Sequence, residues 1–333
     1  MSAPARQREG ASVSLQALLD DARRFGPEYG DGLASHLPMG LVALRALGAD
    51  DARLQAFAGT ESAHLLPAPP PQAWPAGDPW PDRLGDIAAW PAYRDLFGQW
   101  LADEGAADVL AQVLPQLMPG CAAAAFHGPI RTAAALRAGH AGELAAGLAY
   151  WAARHQRLGA LPARHGTVAE PLALLRRLQA VPSKRPLIAQ RMAVAAHDAA
   201  LQAAVPRLAI GPATLPRLSR LGAQAYAGSG NFTALHMVTA SHAMRLLLPF
   251  VEAGPAADAA LRWFWQAWAT ALVAACLKPL APAPLLPWPA IVQRTLASSD
   301  AHVVKLVDAC REEEAAHGGG DWQQAASRAV ASA

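Results

Sequence analysis

The chain has 333 residues, 53 % apolar and only 16 % charged, enough to bury a large core in one big domain or two ordinary ones, and this excludes a largely disordered chain. A formal net charge of +2 with no basic run gives no field for steering nucleic acid or an anionic membrane, so neither is expected as a partner. Cys121, Cys276 and Cys310 are odd in number, far apart and without a CxxC, which excludes a disulfide framework and a thiolate zinc site and suits a reducing compartment.

The first ten residues carry Arg6, Arg8 and Glu9 without an apolar stretch, so no secretory signal is expected and the expected location is the cytoplasm. Residues rich in Ala, Leu, Arg and Gln then predict helices over Leu15 to Phe25, Leu37 to Leu47, Ala106 to Leu114, Ile130 to Arg157, Leu187 to Leu201 and Ala260 to Leu277. In the longest, Leu136, Leu144, Leu148 and Trp151 recur at helical spacing, with Pro129 at the tolerated first-turn position. Between them, Pro67 to Pro91, with Trp74, Trp80 and Trp90, reads as a long irregular connection or lid. Gly228-Ser229-Gly230-Asn231 opens a further segment, Phe232 to Leu248, and Pro279 to Pro289 is another break. The stretch Trp263 to Leu277 is too short to span a membrane and reads as a buried helix. Alternating β-branched runs are almost absent and no fixed-period repeat appears. The expected architecture is all-α: one domain over 1–333, with a Pro/Trp-rich surface excursion and loose ends at 1–12 and 312–333.

Chemistry concentrates in histidines set singly in apolar helical context: His36, His127, His236 followed by His242, and His302. A buried imidazole needs a partner for each nitrogen, supplied either by hydrogen bonds or by a metal. Four such residues in an all-helical chain suggest a metal site in the helical core, and imidazoles without thiolates suit Fe, Zn, Cu or Ni. Three residues after His302 stands Lys305, one of only three lysines among 28 basic residues. A lysine, unlike an arginine, can lose its proton when buried, so the pair could form a reactive or ligating face; the other reading is a lysine that snorkels to water. His64, His155, His165 and His317 read as ordinary surface residues.

The HExxH, GxSxG, P-loop and GxGxxG patterns are all absent, which disfavours a flavin or nicotinamide domain. His197-Asp198 could be the HD pair of a helical phosphohydrolase, but no clustered acids and bases surround it.

Ser35 to Met39, Leu84-Gly85-Asp86 followed by Trp90 to Phe97, Phe126 to Arg131, Leu148 to Trp151, Phe232 to Arg245 and Asp300 to Leu306 together resemble the questin oxidase-like family, in order from Gly32 to Cys310. The resemblance implies O2-dependent oxidation of a polycyclic aromatic ketone, by Baeyer–Villiger-like insertion or by dioxygenase ring opening. In the ring-cleaving branch it implies a non-haem Fe(2+) held by four histidines and a lysine carboxylated by CO2. Here those are His36, His127, His236, His302 and Lys305, with His242 competing for the place of His236. Arg131, on the face of His127, could meet a substrate oxyanion or form a helix-end salt bridge. Apolar, Trp-rich surroundings would hold the aromatic substrate, and a need for NADPH as reductant is left open. The rival readings are a metal-dependent hydrolase with a carboxylated lysine and a homologue that only binds a ligand.

Overall fold

The computed structural model describes residues 14–161 and 166–331; the expectations for 1–12, His165 and the last two residues lie outside them. Among the described residues the chain forms sixteen α-helices and one two-stranded antiparallel hairpin. The first part runs α1 (Leu15–Ala22), β1 (Glu28–Tyr29), β2 (Leu33–Ala34), α2 (Leu37–Ala46) and α3 (Asp51–Ser62). The middle comprises α4 (Trp90–Glu104), α5 (Ala106–Leu117), α6 (His127–Ala138), α7 (Ala141–Ala153), α8 (Pro171–Leu175), α9 (Ile188–Ala195) and α10 (Ala199–Ala204). The last part is α11 (Thr214–Ser229), α12 (Phe232–Leu247), α13 (Pro255–Ala275), α14 (Trp288–Ala297), α15 (Ala301–His317) and α16 (Asp321–Ala331). One contiguous apolar core runs through all of these parts. No helix among the described residues is long and apolar enough to cross a membrane.

Four departures from the sequence reading have local causes. The helix expected over Ile130 to Arg157 is two helices: Gly139 takes φ 62 and ends α6, and His140 starts α7 by accepting the Glu143 N–H on its Nδ1. The helix expected over Leu187 to Leu201 breaks at His197-Asp198, because the Asp198 carboxylate caps α10 by accepting the Leu201 N–H. The Pro/Trp-rich stretch is no free excursion, since Trp74 and Trp80 pack their rings on Tyr93 and Phe97 of α4. The tail from 312 is not loose either. Trp322 is fully buried with Ala325, Ala326 and Ala329 against α11 and α15, and its indole N–H donates to Ser219.

The arrangement that matters is a ring of four helices. α2 packs on α6 and α15, and α12 packs on the same two. Ion pairs tie the ring together: Arg137 of α6 holds Asp308 of α15 through two hydrogen bonds (2.5 and 3.1 Å), and Arg245 of α12 donates to Glu313 of α15 (2.6 Å). Behind it, α7 lies so close on α6 that a Cβ on Gly147 would meet the Thr132 backbone at 2.9 Å.

Candidate metal centre

Three of the four apolar-context histidines sit at the start of a ring helix, and the fourth lies one turn further in. His36 immediately precedes α2, His127 is the first residue of α6, His236 is in the second turn of α12 and His302 is the second residue of α15. The approach to His127 is strained: Ala124, Ala125 and Phe126 carry φ of 47, 57 and 71°, left-handed values that cost roughly 1–2 kcal/mol each for residues with a Cβ. The buried Phe126 ring, packed edge-on to Phe264, and the hydrogen bonds of Phe126, His127 and Gly128 back to Ala122, Ala124 and Ala123 hold this turn. α12 and α15 begin conventionally, capped by Asn231 and Asp300.

The first turns converge, and the four imidazoles touch. Ring centroids are 4.2 Å apart for His36 and His302, 5.0 Å for His36 and His127, 4.8 Å for His127 and His236, and 5.7 Å for His236 and His302. Three rings are anchored through Nδ1. His127 donates to the Ala124 carbonyl (2.6 Å), His236 to the Phe232 carbonyl (2.8 Å) and His302 faces the Asp300 carboxylate (3.2 Å). That fixes the tautomer with the Nε2 lone pair free, as a metal-ligating histidine requires. The Nε2 of His127 meets His36 Nε2 at 2.9 Å, whereas the buried Nε2 of His236 has no partner among the described residues. Burial, with the Lys305 charge a further cause, holds His36, His127 and His236 well below the usual imidazole range, and burial lowers His302 as well.

Lys305 lies one turn beyond His302 on α15 and is buried, so it does not snorkel to water. Burial pushes its amine down to about 7, opposed by the charges of Glu61 and Asp300. Glu61, at the end of α3, is a neighbour that the sequence reading missed; burial raises its pKa. The N-termini of α2, α6 and α15, where His36, His127 and His302 sit, also oppose positive charge on those imidazoles and favour an anion beside them.

These residues fit a metal by donor chemistry: neutral imidazoles, three with Nδ1 anchored, one with an orphaned Nε2, and a lysine amine that burial keeps easily deprotonated. As they stand, the rings contact one another. Among the described residues no group of three or more His, Cys, Asp or Glu is already disposed around a common point for an ion. The His36–His127 hydrogen bond takes up the lone pair that a metal would claim.

The imidazoles form the floor of a cavity of about 690 Å³, whose walls come from Tyr29, Leu33, Leu187, Arg191 and Phe232 among others. Such a volume suits a ligand of several fused rings. Phe232 is half exposed, its ring edge-on to His236 and His302 at 4.8 and 4.6 Å. His155, read from sequence as a surface residue, lines this cavity as well; burial pushes it down to about 4, and its Nε2 is unpartnered among the described residues.

Other sequence candidates lie elsewhere. Arg131 is buried in a bidentate pair with Glu143 of α7 (Nε–Oε1 2.5 Å, Nη2–Oε2 3.1 Å), outside the cavity lining, so the helix-end salt bridge is the reading that holds. His242, nearly two turns beyond His236 on α12, faces a separate pocket of about 40 Å³ with Arg137, Asp308 and Lys305. The tryptophans are absent from the large cavity's lining; Trp90, Trp151, Trp265, Trp268 and Trp322 are core. His197 is exposed and Asp198 is a helix cap, so the HD pair forms no cluster.

The family model described as questin oxidase-like matches residues 33–310, and the chain belongs to that family. A comparison with curated proteins finds no match.

Proposed function

As a member of the questin oxidase-like family, whose description suggests an oxidoreductase of polyketide-type substrates, this protein, we propose, is a non-haem iron oxygenase acting with O2 on a polycyclic aromatic ketone. The observation that carries the reading is the set of anchored, neutral imidazoles, one with an orphaned Nε2, at the floor of a cavity large enough for a fused-ring ligand.

His36, His127, His236 and His302 would hold the metal through Nε2. Ferrous iron bound there would supply the one-electron chemistry that reaction with O2 demands. The protein's own contributions follow from the geometry. Burial keeps the imidazoles unprotonated at neutral pH, so their lone pairs are available. Asp300 and two backbone carbonyls hold three of the rings in one tautomer. A Lys305 amine near pH 7 is substantially neutral, the form that adds CO2 with loss of a proton; the resulting carbamate would bring negative charge to a set of otherwise neutral donors. Phe232 and the apolar walls would stack the substrate and exclude water from the histidine floor.

The test is metal analysis of the purified chain after anaerobic reconstitution with ferrous iron, beside His236→Ala and Lys305→Ala. Stoichiometric iron in the wild type, lost in His236→Ala and reduced in Lys305→Ala, is expected, with Lys305→Glu retaining more than Lys305→Ala. A His236→Ala variant that keeps full iron content would refute the site.

A further inference from the structure

Arg191 belongs to α9 and lines the large cavity beside Leu187, Ile188 and Ala189. Ile188, Met192 and Ala195 bury the face of α9 that packs on α13, and Arg191 stands at the edge of that face, toward the cavity. Its Nε is shut off from solvent and has no hydrogen-bond partner, and among the described residues no carboxylate forms an ion pair with its guanidinium. A guanidinium on a cavity wall with no carboxylate beside it is a charged donor still open to an anionic ligand. Arg191 and His236 line the same cavity.

The other charged groups facing the cavity are already accounted for. Arg154 and Glu28 hold each other through Nε (2.7 Å) and Nη2 (2.5 Å), and the Tyr150 hydroxyl also donates to Glu28. Asp31 is exposed at the rim, and His155 is neutral at pH 7. Among the described residues, Arg191 is thus the cavity's uncompensated cation.

We infer that Arg191 is the specificity residue for a carboxylate carried by the aromatic substrate, binding it through the terminal nitrogens of its guanidinium and so setting which end of the ring system lies on the histidines. The Nη1/Nη2 end of the planar guanidinium offers a fork of N–H donors matched to a carboxylate's two oxygens. The inference rests on the proposal that this cavity takes a flat aromatic ligand, and names the chemical class of that ligand. It gives Arg191 the role that sequence spacing suggested for Arg131.

The experiment is equilibrium binding of anthraquinone-2-carboxylate and of its neutral methyl ester to the full chain, iron-loaded and chelator-treated, for wild type, Arg191→Gln and Arg191→Lys. Wild type is expected to favour the acid. Arg191→Gln should weaken the acid roughly 10- to 100-fold, the worth of hydrogen bonds to a charged group, and change the ester by less than about threefold. Arg191→Lys should fall between, keeping the charge without the fork. The loss must persist after chelation, which separates it from coordination of the acid by a metal. A Tm that holds or rises in Arg191→Gln supports a binding role, because a structural arginine would lower it. Equal weakening of acid and ester, or none, overturns the assignment of Arg191 while leaving the aromatic cavity standing. Binding of neither probe by wild type overturns both.

Discussion

Replacing Glu143 by Gln isolates the buried Arg131–Glu143 pair and tests whether Arg131 is structural or substrate-facing. Both side chains are almost fully buried, and the Arg131 Nη1 has no partner among the described residues, so Glu143 is the counter-charge that keeps the guanidinium tolerable in the core. Breaking a buried pair at one partner costs about 3–5 kcal/mol, and because a Gln carbonyl still accepts one hydrogen bond, the lower end, about 3 kcal/mol, is expected. Unfolding entropy near Tm is about 2.1 cal/mol/K per residue, or about 0.7 kcal/mol/K for 333 residues, so Tm should fall by about 4 °C. The apolar double variant Arg131→Met with Glu143→Leu should recover most of the loss, since replacing both partners removes the uncompensated charge. The assay is thermal unfolding followed by circular dichroism, paired with ligand binding. A Glu143→Gln variant within about 1 kcal/mol of wild type would refute the burial argument. A well-folded double variant that no longer binds ligand would return Arg131 to the site.

Ala124→Gly should stabilise the chain by up to about 1 kcal/mol, because glycine takes φ 47° without the left-handed penalty; a loss of stability in urea unfolding would show that the turn is not strained. Asp300→Asn should leave stability nearly unchanged, since Asn caps helices as well as Asp, yet weaken metal binding about 10- to 100-fold by removing the carboxylate that holds His302. Unchanged metal affinity would remove Asp300 from that role. His242, buried and near Arg245 and Arg137, is pushed down to about 3, so below the unfolded value of 6.5 only the unfolded chain takes up its proton and stability falls as pH falls. Between pH 7 and pH 5 that group alone should cost about 2 kcal/mol. His242→Leu should lose about that much less over the same interval in urea titrations, and an identical pH dependence would contradict the shift.

The helical character of the chain was legible because Ala, Leu, Arg and Gln carry intrinsic preference and three- and four-residue spacing marks each buried face. Where the reading failed, a tertiary or capping interaction outweighed propensity. Gly139-His140 and His197-Asp198 are cap sequences inside otherwise helical composition, so a single periodic pattern spans two separately capped helices. The tail failed for another reason: Gly318-Gly319-Gly320 reads as an ending, while the one residue that makes α16 structural, Trp322, gains its value only from the Ser219 side chain and the surfaces of α11 and α15.

The candidate site divides along the same line. His36, His127, His236, His302 and Lys305 stand out because a polar residue in an apolar helical run needs a buried partner, and that need is written in the local sequence. Arg191, His155 and Glu61 carry no such mark, as each sits among residues where a surface charge is unremarkable. What makes them functional candidates is the absence of a partner for a particular buried nitrogen, or burial beside Lys305, and those depend on how α3, α9 and the end of α7 meet the ring of four helices. Arg191 offered one faint signal. It falls three residues after Ile188 and four before Ala195, at the margin of a buried stripe, where a long cationic side chain must either reach solvent or find an anion. Sequence can name that choice, and only the cavity on the other side of the stripe decides it.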